Sequence, residues 1–372
     1  MATALPPNGP LNLDASLQGP HFQKQETKDS NAPTLYGNDG EIEDARLLTP
    51  CSPDTPIEEL RRRYWHDGVL WVKGLLDPDL VNDFRAAYLS MMDDGTNMLK
   101  PGTNPRDGIF NPDTNWRDFT LPGALRVAAG LPDTGPFVEN AIRSHHWSRY
   151  QEFKDTIGRR IEPFIGNMLG FEESWCLPRS LLRCAVPGGE ITPVHYDQIF
   201  LRAGPPTSVT AWVPIGDVEV EGGGLIYLDR AHDIGVKYEE DFSKMNADLS
   251  DEERMSAFNK NMEKGGWLDK NASRFGNQWS RAWLVASNLS LALSQHFTNK
   301  SQGAYEAGDV VFHTPYTIHA GAKNRSPKGR VRVSTDLRFV DKTKPYDERW
   351  TFLAYSENDP NVARKTALRK QA

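Results

Sequence analysis

Regular spacing of apolar positions begins only near residue 55 of this 372-residue chain. In TPIEELRRRYWHDG, Ile57, Leu60 and Tyr64 recur at helical spacing behind Thr55 and Glu58, which stand at the separation of a capping box. GVLWVKGLL then reads as a strand, and Asp77 or Asp79 caps a second helix with Leu80, Phe84, Tyr88 and Met91 on one face. Residues 95–145 hold Pro, Gly and Asn without a sustained period, which predicts loops draped over a scaffold. A further helix is expected over YQEFKDTIGRRIEPFIGNMLG, with Phe153, Ile157, Ile161, Phe164 and Met168 on one side and Gly170 as its stop.

After that helix the pattern turns to β. SLLRCAV, TPVHYDQIF, TSVTAWVPI, GGLIYL, GDVVFHTPY, TIHAGA and RVRVSTDLRFV are short β-rich runs separated by Gly/Pro turns. Such a series predicts a mainly β fold, a sandwich or barrel with flanking helices on its outer face. Residues 1–55, rich in Pro, Asn, Asp and Gly with unpatterned apolar positions, are expected to form a flexible arm. Residues 56–350 then form a single domain, with a polar, helix-leaning insert over 235–303 acting as a lid or rim, and 351–372 form a C-terminal tail. The many aromatic residues of the insert, among them Trp267, Phe275, Trp279, Trp283 and Phe297, are expected mostly in core packing.

Composition narrows the function classes. Hydrophobic residues make up 38% and charged residues 25%, and no stretch approaches the roughly 18 apolar residues of a membrane span. The first residues lack a secretory pattern and the last four are not a peroxisomal address, so the expected compartment is the cytosol. Three cysteines without paired spacing argue against a disulfide framework and a thiolate zinc site. A net charge of -7 leaves no global footprint for nucleic acid, and the expected partner is a small-molecule substrate.

Any metal must therefore use histidine and carboxylate. His195 and Asp197, in ITPVHYDQIF, would project from one strand face, and His319, in GDVVFHTPYTIHAGA, is the best candidate for a third ligand. Two histidines and one carboxylate form a facial triad with open positions, the arrangement suited to non-haem Fe(II) and O2 chemistry. Removing Asp197 is expected to abolish iron-dependent turnover and leave the fold intact. In GRVRVSTDLRF, Arg330, Arg332 and Ser334 share one strand face; a buried guanidinium fork with a neighbouring hydroxyl is a receptor for a carboxylate such as that of 2-oxoglutarate.

These residues carry a resemblance. RYWHDGVLWVKGLLDPDLVNDFRAAY, PGGEITPVHYDQIFL, TAWVPIGDVEVEGGGLIYLDRAH and AGDVVFHTPYTIHAGAKNRSPKGRVRVSTDLRFV, spread over about residues 58–345, resemble the phytanoyl-CoA dioxygenase family of Fe(II)- and 2-oxoglutarate-dependent oxygenases. The resemblance implies a double-stranded β-helix, a cupin-like jelly roll whose mouth holds the metal. It places His195, Asp197 and His319 on the iron ligands. Arg332 falls on the arginine that pairs with the distal carboxylate of 2-oxoglutarate, with Arg330 as the alternative register. Trp212 falls near a tryptophan lining the co-substrate pocket, His232 on a structural histidine, and Gly321 where some relatives carry a hydroxyl. Asp197 stands where halogenating relatives carry a small residue, which favours hydroxylation of a C–H bond over halogenation, with release of succinate and CO2, and leaves desaturation and ring rearrangement open.

Two other readings use the same residues: a non-catalytic cupin-like binding protein, and a hydrolytic zinc enzyme. The first would ordinarily have lost a ligand or the arginine, and the second has no use for Arg332. His313 is expected as core or as support behind the ligands, and Arg183 either meets substrate or forms a sheet-face ion pair.

Overall fold

Strand alternation decides which way the main sheet faces. In β4 (Val69–Val72), Leu70 and Val72 belong to one apolar cluster, and Val69 and Trp71 to another. The fold is a computed structural model that describes residues 34–359 apart from 43–44, 124, 127–128, 258–265, 280–281 and 287–302.

Before β4 come β1 (Leu35–Gly37), β2 (Gly40–Ile42), β3 (Ala45–Leu47) and α1 (Ile57–Asp67). After it come α2 (Pro78–Asp93), α3 (Pro136–Ser144), α4 (Ser148–Leu169), β5 (Ser174–Cys176), β6 (Leu181–Ala185) and α5 (Gln198–Leu201). The chain continues through β7 (Val209–Pro214), β8 (Val218–Glu219), β9 (Leu225–Leu228), α6 (His232–Met245), α7 (Asp251–Arg254) and α8 (Ala272–Trp279). It ends with β10 (Trp283–Val285), β11 (Gly303–Tyr305), β12 (Val310–His313), β13 (His319–Gly321) and β14 (Arg332–Asp341).

The larger sheet runs β4–β12–β7–β14, with β5 and β6 pairing successive parts of β14, all antiparallel. The smaller runs β13–β9–β10–β3, with β3 parallel to β10. Val69, Trp71, Trp212 and Val311 of the larger sheet meet Tyr227 of the smaller, so the two sheets pack on each other. The opposite face of the larger sheet buries Leu70, Ala211, Phe312, Leu337 and Phe339 under the helices, where Phe84 of α2 stacks on Phe153 of α4 at 4.1 Å. The fold is thus mostly sheet with several flanking helices, and no helix among the described residues is long and apolar enough to cross a membrane.

Several expected boundaries move. The side chain of Asp77 caps α2 and Gly170 stops α4 in the left-handed conformation, as the spacing predicts. The capping box at Thr55 does not form: Pro56 precedes α1, the Thr55 hydroxyl accepts from the Ser52 N–H, and Glu58 pairs with Arg61. Part of the stretch expected as an arm forms strands β1 to β3. Its apolar residues have no period of their own because they dock singly, Leu35, Ile42 and Ala45 onto the outer side of the smaller sheet and Leu48 between the sheets. Residues 1–33 and 360–372, and Phe297, lie outside the described residues.

The stretch expected as a lid also supplies β10, an interior strand of the smaller sheet, and buries Trp267, Phe275 and Trp283. TPVHYDQIF, expected as a strand, is one only at Val194 and His195, which make isolated bridges to Asp269 and His319; at Asp197 the backbone turns helical into α5. Asp197 is therefore brought beside His195 by a turn and not by strand alternation.

Two histidines away from the metal residues set an acid limit on stability. His145, 5% exposed, donates from Nδ1 to the Ala141 carbonyl at 2.9 Å and accepts at Nε2 from the Leu182 N–H at 3.2 Å, so it is held neutral. Burial lowers its pKa to about 4, and burial does the same for His232, whose Nδ1 meets the Thr314 hydroxyl at 2.8 Å. Above pH 6.5 neither the folded nor the unfolded chain protonates them; below it the unfolded chain takes up protons that the folded one refuses. Stability is therefore expected to fall between about pH 6.5 and 4, by about 3 kcal/mol from His145 alone. Urea midpoints measured from pH 7 down to 4.5 check this, and a flat profile counts against it.

Candidate metal centre

Three ligand atoms converge where the two sheets meet. His195 enters from the loop after β6, its backbone N–H bonded to the His319 carbonyl at 2.9 Å and its carbonyl accepting from the His319 N–H at 2.8 Å. His319 opens β13, and Asp197 stands at the start of α5. One atom from each of His195, Asp197 and His319 lies within 4.8 Å of the others, and all three residues are buried. Asp197 Oδ1 is 3.9 Å from Nε2 of each histidine.

The donor set fits a cation. His195 Nδ1 meets the Pro193 carbonyl at 2.8 Å and His319 Nδ1 meets the Thr317 carbonyl at 2.9 Å. A carbonyl only accepts, so each Nδ1 carries the proton and each Nε2 turns its lone pair toward Asp197 Oδ1. Burial lowers both histidine pKa values, His319 well below the usual range, and keeps the lone pairs free. Burial would raise the Asp197 carboxyl, but Arg338 and the hydrogen bond from His313 outweigh it and hold the group well below the usual carboxylate range.

That carboxylate is saturated with donors. Arg338 Nη2 reaches Oδ1 at 2.9 Å, His313 Nε2 reaches Oδ2 at 3.0 Å, and the Thr210 hydroxyl also donates to Oδ2. Thr210 and His313 face each other across β7 and β12, and Arg338 is opposite Thr210 on β14, so one corner of the larger sheet aims all three inward. The loop itself is braced from behind. Tyr196 and Arg202 both bond Glu239 of α6, at 2.6 and 2.7 Å, and the Leu268 N–H donates to the Val194 carbonyl at 2.7 Å.

The two candidate arginines separate. Arg332, first residue of β14, reaches across to the smaller sheet, where its Nη1 donates to the Ala322 carbonyl at 3.1 Å, three residues beyond His319. Burial lowers its pKa to about 10. Arg330 lies before the strand, bridged to Ile109, and its Nε donates to the Asp107 carbonyl on the exterior. The structure thus brings Arg332 and not Arg330 between the sheets. Ser334 follows on the same face, buried, and Trp212 lies opposite Asp336 with its ring 4.7 Å from that of Tyr305. Gly223, at φ 68, and Gly224 let β9 pass this close: a Cβ on Gly223 would stand 2.3 Å from the Ala322 oxygen.

Arg183 is paired with Asp336, Nε to Oδ2 at 2.8 Å, and its Nη1 reaches Thr192. His232 lies away from the cluster, and His313 supports Asp197. Sequence reasoning missed Arg338, Thr210 and Tyr305. The signal for Arg338 was present: Arg332, Ser334, Asp336 and Arg338 alternate along β14 and share its inner face. Thr210 and Tyr305 carried none, because nothing in a strand pattern says what stands opposite.

The family model described as phytanoyl-CoA dioxygenase (PhyH) matches residues 64–268. The chain belongs to that family of iron- and 2-oxoglutarate-dependent dioxygenases, and iron and 2-oxoglutarate are its cofactors. The match contains His195 and Asp197 and ends before His319 and Arg332, which only the fold brings to them. No curated protein matches the chain. Among solved structures it is similar to the non-heme alpha-ketoglutarate-dependent carbocyclase SnoK from nogalamycin biosynthesis, at 16% identity and TM-score 0.44 over 85% of this chain and 94% of that one. The epimerase SnoN from the same biosynthesis follows at 18% identity and TM-score 0.38, over 77% and 83%. AviO1 from Streptomyces viridochromogenes Tue57 stands at 14% identity and TM-score 0.37, over 77% and 96%.

Proposed function

We propose that the protein is a dioxygenase that hydroxylates a C–H bond of a small-molecule metabolite, with His195, Asp197 and His319 as the Fe(II) ligands and Arg332 as the receptor of the distal carboxylate of 2-oxoglutarate. The observation that carries this reading is the pair of Nε2 lone pairs freed by backbone carbonyls and turned toward one carboxylate oxygen. We read the two facing sheets as a double-stranded β-helix over one domain, residues 56–350, with the strands before it as an extension.

When bound, iron and 2-oxoglutarate couple consumption of O2 and release of succinate and CO2 to oxidation of the substrate. The chain's own residues do the rest. Asp197 is kept anionic by Arg338, His313 and Thr210, so it is available as a ligand throughout the working pH range. Arg332 offers a planar fork matched to a carboxylate, reaching from β14 to the Ala322 and Gly224 carbonyls across the sheets. Asp197 fills the third ligand position with a carboxylate, which supports hydroxylation over halogenation.

Anaerobic titration of the purified protein with Fe(II) and then 2-oxoglutarate is expected to give the weak visible charge-transfer band of a chelated 2-oxo acid. Fe(II) bound without a band on addition of 2-oxoglutarate would overturn the co-substrate assignment.

A further inference from the structure

We infer that Arg338 is a second carboxylate-binding arginine, one that takes the metal-end carboxylate of the 2-oxo acid while Arg332 takes the distal one. This rests on the proposed function and extends it to a residue which that reading uses only as a support for Asp197.

Arg338 is 3% exposed, yet only its Nη2 has a hydrogen-bond partner among the described residues; Nε and Nη1 are buried with none. A buried guanidinium normally fills its donors, because each one left unmade costs its desolvation. Arg85 does so in this protein, its three nitrogens meeting carbonyls of Arg106, Ile215, Asp107 and Val331. The idle donors of Arg338 cannot swing elsewhere: the group is planar and rigid, its Nη2 is fixed at Asp197 Oδ1, and it lies 5.2 Å over the Trp350 ring. They belong to the guanidinium whose Nη2 is bonded to the carboxylate oxygen that faces both histidine Nε2 atoms.

Charge points to the same ligand. Arg338 and Asp197 neutralise each other, and Arg183 and Asp336 do likewise, which leaves Arg332 without a carboxylate partner among the described residues of this inner face. With a dication bound the face carries an excess of three positive charges, which a dianionic co-substrate with one end at each arginine reduces to one. Arg332 and Arg338 are six residues apart on one strand, hence on one face, and flank the metal residues from the two ends of that face.

The test uses full-length protein at saturating Fe(II), with metal affinity titrated separately, and two ligands: 2-oxoglutarate, and 2-oxopentanoate, which keeps the 2-oxo carboxylate and lacks the distal one. Arg338→Lys preserves a cation beside Asp197 and removes the fork. It is expected to weaken both ligands by about ten- to a hundred-fold. Arg332→Gln is expected to weaken 2-oxoglutarate alone, to about the affinity of 2-oxopentanoate. If Arg338→Lys leaves 2-oxopentanoate within two-fold of the unaltered protein, or weakens only 2-oxoglutarate, the inference fails while the role of Arg332 stands. Loss of Fe(II) binding in Arg338→Lys would also overturn it, assigning Arg338 to the metal carboxylate alone. A full effect of Arg338→Lys with no effect of Arg332→Gln would instead overturn the distal assignment.

Discussion

Asp197→Ala is expected to lose Fe(II) binding and all 2-oxoglutarate-dependent turnover, and to lose stability as well. The sequence alone suggested an intact fold, since a residue that serves only a metal can be removed cheaply. The structure gives Asp197 a second duty, as the counter-charge of Arg338 and the acceptor for His313 and Thr210. Removing one partner of a buried ion pair costs about 3–5 kcal/mol, because the other charge stays in the interior unpaired. Equilibrium metal titration and urea unfolding of the variant check both halves. Asp197→Asn separates them: it keeps an acceptor for His313 and Thr210 and is expected to recover part of the stability but none of the turnover. Turnover equal to the unaltered protein in either variant would refute the metal assignment.

Arg332→Ala is expected to raise the 2-oxoglutarate concentration needed for half-saturation about ten- to a hundred-fold, the effect of losing charge-assisted hydrogen bonds of roughly 1.5–3 kcal/mol. Arg330→Ala serves as the internal control and is expected to change it less than two-fold, since Arg330 meets a loop carbonyl outside the sheets. The readout is succinate release, or the anaerobic charge-transfer band, as a function of 2-oxoglutarate. A penalty on Arg330 in place of Arg332 would mean that β14 binds the co-substrate in a register two residues away from the one described.

The candidate metal cluster was legible because a His-x-Asp beside a β series, a distal histidine in another strand and an arginine-bearing strand after it occur together. The reason given for its first half was nevertheless wrong in detail, since His195 and Asp197 do not alternate along a strand: the chain turns into α5 between them. The strands themselves were readable wherever one face is buried, as in TSVTAWVPI and RVRVSTDLRFV. Residues 35–48 were not, because isolated apolar residues that dock onto a neighbouring sheet leave no period behind. The insert was misjudged for the opposite reason: its helical composition concealed Trp283, whose strand exists only through its pairing with β9 and β3.

The sequence by itself determined the mainly β class, the family, the three metal-binding candidates and a pair of possible arginines, all of which are matters of residue type and local spacing. Only the tertiary structure brought Arg332 and not Arg330 between the sheets, placed Arg338, His313 and Thr210 around Asp197, and set Glu239 behind the loop that carries it. Those contacts join residues between 13 and 141 positions apart. Periodicity says which face a side chain takes, but what it meets there is fixed by how strands pair and how the two sheets close on one another.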